Sequence, residues 1–133
     1  MILIDTHVLL WLTEGSNRVG KKARKIADQA LADEEALVSG ITFWEIAMLH
    51  HKGRLRVIQP LVAFRRDVLD LGFREIPVSG EVGIEAAGLE SFHADPADRI
   101  ITATASLQRA TLVTADQRIL KWNGPLHRID ARK

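Results

Sequence analysis

The sequence predicts an α/β domain in which helices cover both faces of a parallel sheet, and three observations carry that expectation. The chain opens on the unbroken apolar run Ile2-Leu3-Ile4, which ends on Asp5; a strand with no polar face belongs in a sheet buried on both sides. Short β-branched segments then alternate with helical patterns along the rest of the chain. No tight hairpin signal separates one strand from the next, which implies right-handed βαβ crossovers. With 133 residues and 47% hydrophobic content, residues 1–133 are expected to form a single domain with one core. The architecture expected is a three-layer α/β/α sandwich around four or five strands.

After Asp5, the segment Thr6 to Glu14 keeps apolar residues at Val8, Leu9, Leu10 and Leu12, a short buried helix stopped by Gly15-Ser16-Asn17. From about Gly20 to Asp33, Ala23, Ile26, Ala27, Ala30 and Leu31 form one stripe while Lys21, Lys22, Arg24, Lys25 and Asp28 face water, an amphipathic helix. Ala36-Leu37-Val38-Ser39 is the second strand. Thr42 to Lys52 follows as a helix with Gly53 at its carboxyl cap. Arg54 to Gln59 is a basic connector, and Pro60 suits the first turn of a helix ending near Leu71-Gly72. Phe73 to Val78 is the third strand, and Gly80 to Glu90 a helix weakened by Gly83 and Gly88. The loop Ser91 to Ala94 leads into a helix from Asp95-Pro96 through Leu107. Thr111 to Thr114 is the fourth strand, Gln117 to Trp122 a short helix, and Leu126 to Asp130 a fifth strand.

Composition excludes several classes. There is no Cys, hence no disulfide framework and no thiolate metal site. The amino terminus lacks a signal peptide's basic start, and Asp5 and His7 interrupt the apolar run well short of a membrane span, so a cytoplasmic location is expected. A formal net charge of +1 offers no global attraction to nucleic acid, so such a partner must be held by local basic patches or by metal.

Four acids, Asp5, Glu45, Asp98 and Asp116, each fall just after a strand or in the first turn of a helix. Each has a capping explanation as well: Thr42-x-x-Glu45 fits a capping box, Asp95-Pro96-x-Asp98 a capped first turn, and Asp116 a cap of its own short helix. In a parallel sheet, however, a helix directly following a strand begins at the carboxyl edge, where ligands bind, so Asp5, Glu45 and Asp116 are delivered to one side. Asp98 joins them only if the connection from the third strand returns there. Two carboxylates about 4 Å apart repel by about 4 kcal/mol at an effective dielectric near 20, so such a cluster needs a cation. Oxygen ligation with neither Cys nor a paired-His motif favours Mg²⁺ or Mn²⁺ over Zn²⁺. A carboxylate-held ion of that kind suits phosphodiester hydrolysis. Thr6 and Thr114 flank the acids and are read either as orienting hydroxyls or as ordinary strand-end residues.

These segments carry a resemblance. Ile4-Asp5-Thr6-His7-Val8-Leu9-Leu10-Trp11, Val38-Ser39 with Trp44-Glu45-Ile46-Ala47, His93-x-Asp95-Pro96-x-Asp98-Arg99 and Leu112-Val113-Thr114-x-Asp116 occur in the order and spacing of PIN-domain nucleases of the VapC toxin type, which the chain resembles over nearly its whole length. The resemblance implies an acidic pocket of Asp5, Glu45, Asp98 and Asp116 acting as both catalytic and metal-holding residues. It implies Mg²⁺ or Mn²⁺ dependence, endonucleolytic cleavage of RNA with tRNA as the family-level substrate, homodimerisation, and silencing by a cognate antitoxin. Ala97 stands where a bulky aromatic is more usual in the family. Asp95 is assigned to the helix cap and is the first candidate for a fifth acid.

The adjacent pair His50-His51 points about 100° apart on a helix and does not form a zinc pair. His93 reads as a loop hydrogen-bonder, and Arg99 as a partner either of a phosphate or of Asp95. Arg54, Arg56, Arg65 and Arg66, with the Lys21 to Lys25 run, suit either a solvated face or an RNA backbone. Among rivals, a haloacid-dehalogenase-type phosphatase would show Asp-x-Asp after the first strand, where position 7 is His, and a receiver domain would need an Asp that Val78-Ser79-Gly80 lacks. A non-catalytic module would have no need of four acids. A housekeeping RNA-processing nuclease of the same fold is the remaining alternative, which gene neighbourhood would separate from a toxin.

Overall fold

The computed structural model describes residues 1–133. Five strands, β1 (Ile2–Ile4), β2 (Ala36–Ser39), β3 (Arg74–Ile76), β4 (Thr111–Thr114) and β5 (Arg128–Asp130), form one sheet in the order β3-β2-β1-β4-β5. All four pairings are parallel. Between the strands run α1 (Thr6–Glu14), α2 (Lys21–Ala32), α3 (Gly40–His51), α4 (Leu61–Asp70), α5 (Gly80–Ala87), α6 (Pro96–Gln108) and α7 (Gln117–Leu120).

The two-residue period of β1 sorts the core into two layers. Ile2 and Ile4 pack with Val8 and Leu9 of α1, Ala27 and Ala30 of α2, Ile46 of α3 and Val68 of α4. Leu3, pointing the other way, packs with Leu37, Leu112, Ile101, Ala105 and Ile119, which places α6 and α7 on the opposite face. In register Leu3 pairs with Leu37 on one side and Leu112 on the other, so the central three strands bury the same face in step. The α/β/α sandwich is therefore the predicted one. A further small cluster of Val82, Ala86 and Ala103 fastens α5 to α6.

From β1 the chain steps outward through β2 to β3, then returns past β1 to place β4 on its other side. The sheet's topological switch point thus lies between β1 and β4, and their carboxyl ends carry Asp5 and Asp116. Because α5 and α6 make the return crossing, α6 starts at that same edge and brings Asp98 with it.

Element boundaries differ from the sequence reading in places with clear causes. Helix α3 begins at Gly40, with Ser39 as N-cap accepting from the Ile41 N–H at 3.2 Å, so Thr42 and Glu45 do not form a capping box. Thr42 lies inside the helix, fully buried. Pro60 sits at the cap of α4 rather than within its first turn. Strands β3 and β5 are only three residues each, and helix α5 ends at Ala87, one residue before Gly88. Gly15 closes α1 in the left-handed conformation, φ 66°, its N–H reaching back to the Leu12 carbonyl, as its sequence position predicts.

Candidate active site

At the switch point lies a cavity of about 300 Å³ lined by Asp5, Glu45, Asp95, Asp98 and Asp116, together with His7, Trp11, Ala115 and Arg118. All four acids singled out in the sequence are brought together, and Asp95 joins them while also capping α6 through the Asp98 N–H at 2.9 Å. Asp5 and Asp116 are likewise the N-caps of α1 and α7, so a carboxylate here holds a helix start and still faces the cavity.

Asp5 is nearly inaccessible, 4% exposed. One oxygen accepts from the Thr6 N–H at 2.7 Å and the other from the Thr114 hydroxyl at 2.6 Å. Burial pushes its carboxyl above the ordinary range against the pull of those two donors. Thr114 works on both sides of the switch point: its oxygen also accepts from the Asp116 N–H at 3.1 Å. Each carboxylate oxygen keeps a second lone pair, so these bonds orient Asp5 without consuming its capacity to bind.

Glu45, half-buried on α3, is likewise raised, by burial first and then by the charges of Asp5 and Asp95, with the Thr6 hydroxyl acting in the opposite direction. Thr6 and Thr42, both fully buried, share a hydroxyl–hydroxyl bond of 3.0 Å that ties α1 to α3 directly beneath Glu45. Freed from the capping box, Thr42 serves this junction instead.

Asp98 is pushed up to about 6 by burial, with the charges of Asp5, Asp95 and Asp116 adding to it and the His93 hydrogen bond working against it. His93 Nε2 lies 2.7 Å from Asp98 Oδ2. The ligand atoms of His93, Asp98 and Asp116 fall within 4.8 Å of one another. Because the His93 nitrogen facing the cluster is already engaged with Asp98, the histidine holds that carboxylate in place, the loop hydrogen-bonding role its sequence position suggests. Burial also raises Asp116, but bonds from the Arg118 guanidinium and the N–H groups of Arg118 and Ile119 outweigh it and hold this acid below its usual value.

Arg99 does neither of the things its sequence position suggests. Its guanidinium donates to the carbonyls of His93, Ala86, Leu89 and Phe92 at 2.7–3.3 Å, stitching the loop before α6 to the end of α5. His7 and Trp11 entered the sequence reading only as members of the first motif, and Arg118 not at all. Position alone nominates His7, two residues beyond Asp5, and Arg118, two beyond Asp116.

Five carboxylates thus share one cavity at the switch point of a parallel sheet, and similarity names the class of protein: residues 2–124 match the PIN domain, and the chain belongs to that family. It is 30% identical over 125 residues, 93% of each chain, to Ribonuclease VapC22 of Mycobacterium tuberculosis. Among solved structures, it shares its fold with a toxin–antitoxin complex from Klebsiella pneumoniae (TM-score 0.65, 22% identity, 98% of each chain). It also shares it with DNA-bound VapBC from Salmonella typhimurium (TM-score 0.70, 13% identity, 98% of each chain).

Proposed function

We propose that this chain is a divalent-metal-dependent endoribonuclease and the toxin of a toxin–antitoxin pair, with Asp5, Glu45, Asp98 and Asp116 as its catalytic, metal-holding residues. The observation that carries the reading is the arrival of these acids from four separate segments in one cavity, each of the three most buried pushed upward in pKa. The donor set fits Mg²⁺ or Mn²⁺: the four acids supply only oxygen, there is no Cys, and of the two nearby histidines, His7 and His93, the second is occupied by Asp98. Bound there, such an ion supplies the positive charge that draws in a phosphodiester and lowers the pKa of the attacking water.

The chain's own groups do the rest. Thr114 and the Thr6 N–H fix the rotamer of Asp5, the Thr6–Thr42 pair braces the helix that presents Glu45, and His93 holds Asp98. Outer partners of this kind set ligand geometry as strictly as the ligands themselves. The resulting cavity has room for a phosphodiester and its water.

The antitoxin reading is supported by the toxin–antitoxin complexes among the structural relatives. A second recess, about 570 Å³, lies between the end of α1, the Leu55–Gln59 connector and α4, with Leu10, Leu55, Val57, Ile58, Phe64 and Leu71 on its walls. Ile58 and Leu71 are 96% and 57% exposed. Glu14, Asp67 and Asp70 outnumber Arg56 at its edges, which suits an antitoxin segment with apolar and basic side chains. The half-exposed Trp44, beside Glu45, offers apolar surface for a homodimer.

The test is cleavage of tRNA and other structured RNA by the purified protein. Activity is expected with Mg²⁺ or Mn²⁺, is abolished by EDTA, and falls by about 100-fold or more in Asp5→Asn and Asp98→Asn while both stay folded. Undiminished cleavage by the two variants excludes this assignment of the site.

A further inference from the structure

We propose that Arg118 is the resident counter-cation of the acidic cavity, a group that yields Asp98 and Asp116 to an incoming divalent ion and turns to an RNA phosphate. The inference rests on the nuclease reading above and concerns how the same site is loaded. Arg118 Nη2 lies 3.2 Å from Asp116 Oδ2 and 3.5 Å from Asp98 Oδ2, so a single nitrogen spans the two carboxylate oxygens that an ion between those acids would need. Guanidinium and ion therefore compete for the same atoms, and competition for shared atoms makes the two bindings antagonistic by linkage.

The hold is loose. Arg65 grips Glu75 with two parallel bonds of 2.8 and 2.9 Å, whereas Arg118 uses one nitrogen for both its acids and its side chain is 61% exposed. Its backbone is anchored independently, the Arg118 N–H donating to Asp116 Oδ1 at 2.8 Å, so the side chain can swing while the turn stays capped. Most of its five donors point at neither acid.

Two further facts say where it goes once displaced. Five acids line the cavity, and Arg118 is the one lining residue with a permanent positive charge. Arg99, the other arginine close to the acids, is committed to four backbone carbonyls. With a net charge of +1 the chain exerts no general pull on a polyanion, so a phosphate contact at this site must be local. A planar guanidinium released at the cavity mouth supplies one.

The experiment compares wild type with Arg118→Met, Arg118→Lys and Asp5→Asn, measuring Mn²⁺ affinity by calorimetry and RNA affinity by fluorescence anisotropy in Ca²⁺ over a salt series. Arg118→Met is expected to bind Mn²⁺ about two- to fivefold more tightly, because its competitor is gone. The same variant is expected to bind RNA more weakly, with a salt dependence reduced by about one unit of slope. Arg118→Lys should restore most of the RNA affinity and salt slope. A purely structural role for Arg118 cannot move the two affinities in opposite directions. Unchanged or weaker Mn²⁺ binding by Arg118→Met overturns the competition, and unchanged RNA binding overturns the phosphate contact. If wild type binds Mn²⁺ no better than Asp5→Asn, the nuclease reading itself fails and the proposal goes with it.

Discussion

Thr114 shows how much one hydroxyl can carry. It donates to Asp5 at 2.6 Å, accepts from the Asp116 N–H at 3.1 Å, and is fully buried at the end of β4. Thr114→Val keeps the volume and removes both bonds. Mn²⁺ affinity and cleavage are each expected to fall by about 10- to 100-fold, the usual consequence of losing an orienting partner. Folding stability should drop by about 1–3 kcal/mol from the unsatisfied groups left behind; paired calorimetry and urea titration would separate these effects, and a variant with intact metal affinity would deny Thr114 its orienting role. The acids themselves were legible as residues because each interrupts or follows an apolar segment. The role of Thr42 was not: Thr-x-x-Glu spacing fits a capping box equally well, and only the position of Ser39 one turn earlier decides that Thr42 is buried against Thr6.

At the scale of elements, α6 is the piece most dependent on its surroundings. Its start is shaped by Asp95 capping the helix and by Arg99 bonding four carbonyls from α5 and the preceding loop, the loop that also positions His93. Lysine cannot reproduce that fork. Arg99→Lys is therefore expected to cost about 1.5–3 kcal/mol of stability in chemical denaturation, and to lower activity through misplaced His93 and Asp98 rather than through lost phosphate binding. An unaltered salt dependence of RNA binding in this variant would mark the distinction from Arg118. The helices and strands were readable from periodicity because each buries a defined stripe or face. Their exact ends were less so, since the short edge strands β3 and β5 are limited by pairing with a single neighbour, a constraint that composition does not express.

For the molecule as a whole, the acidic cavity should make stability depend on pH and metal in a specific direction. Asp98 titrates at about 6 in the folded chain against an ordinary 3.8, and Asp5 and Glu45 are raised as well. At these acids the folded state therefore holds more protons than the unfolded state, and above about pH 5 their contribution to metal-free stability is lost as pH rises through about 6. Asp116, Glu75 and Asp130 are shifted downward; their opposing contribution lies mainly below about pH 5 and fades above it. In EDTA, Tm is expected to decline from pH 5 to 7, to decline less in Asp98→Asn, and to recover on adding Mn²⁺, which binds the deprotonated carboxylates. A Tm that is flat with pH in the metal-free protein would contradict the assigned protonation. No helix of the chain is long and apolar enough to cross a membrane, in agreement with the interrupted first strand. The sequence by itself determined the α/β class, the parallel sheet and the identities of the four acids, because apolar periodicity and strand-end position are local properties. Only the tertiary structure decided that Asp98 reaches the others, that Thr42 braces α1 instead of capping α3, and that Arg118 lies across two of the acids. The first and third depend on which side of β1 the returning chain places β4, the second on α1 packing against α3, and long-range contacts of either kind leave no mark on the residues nearby.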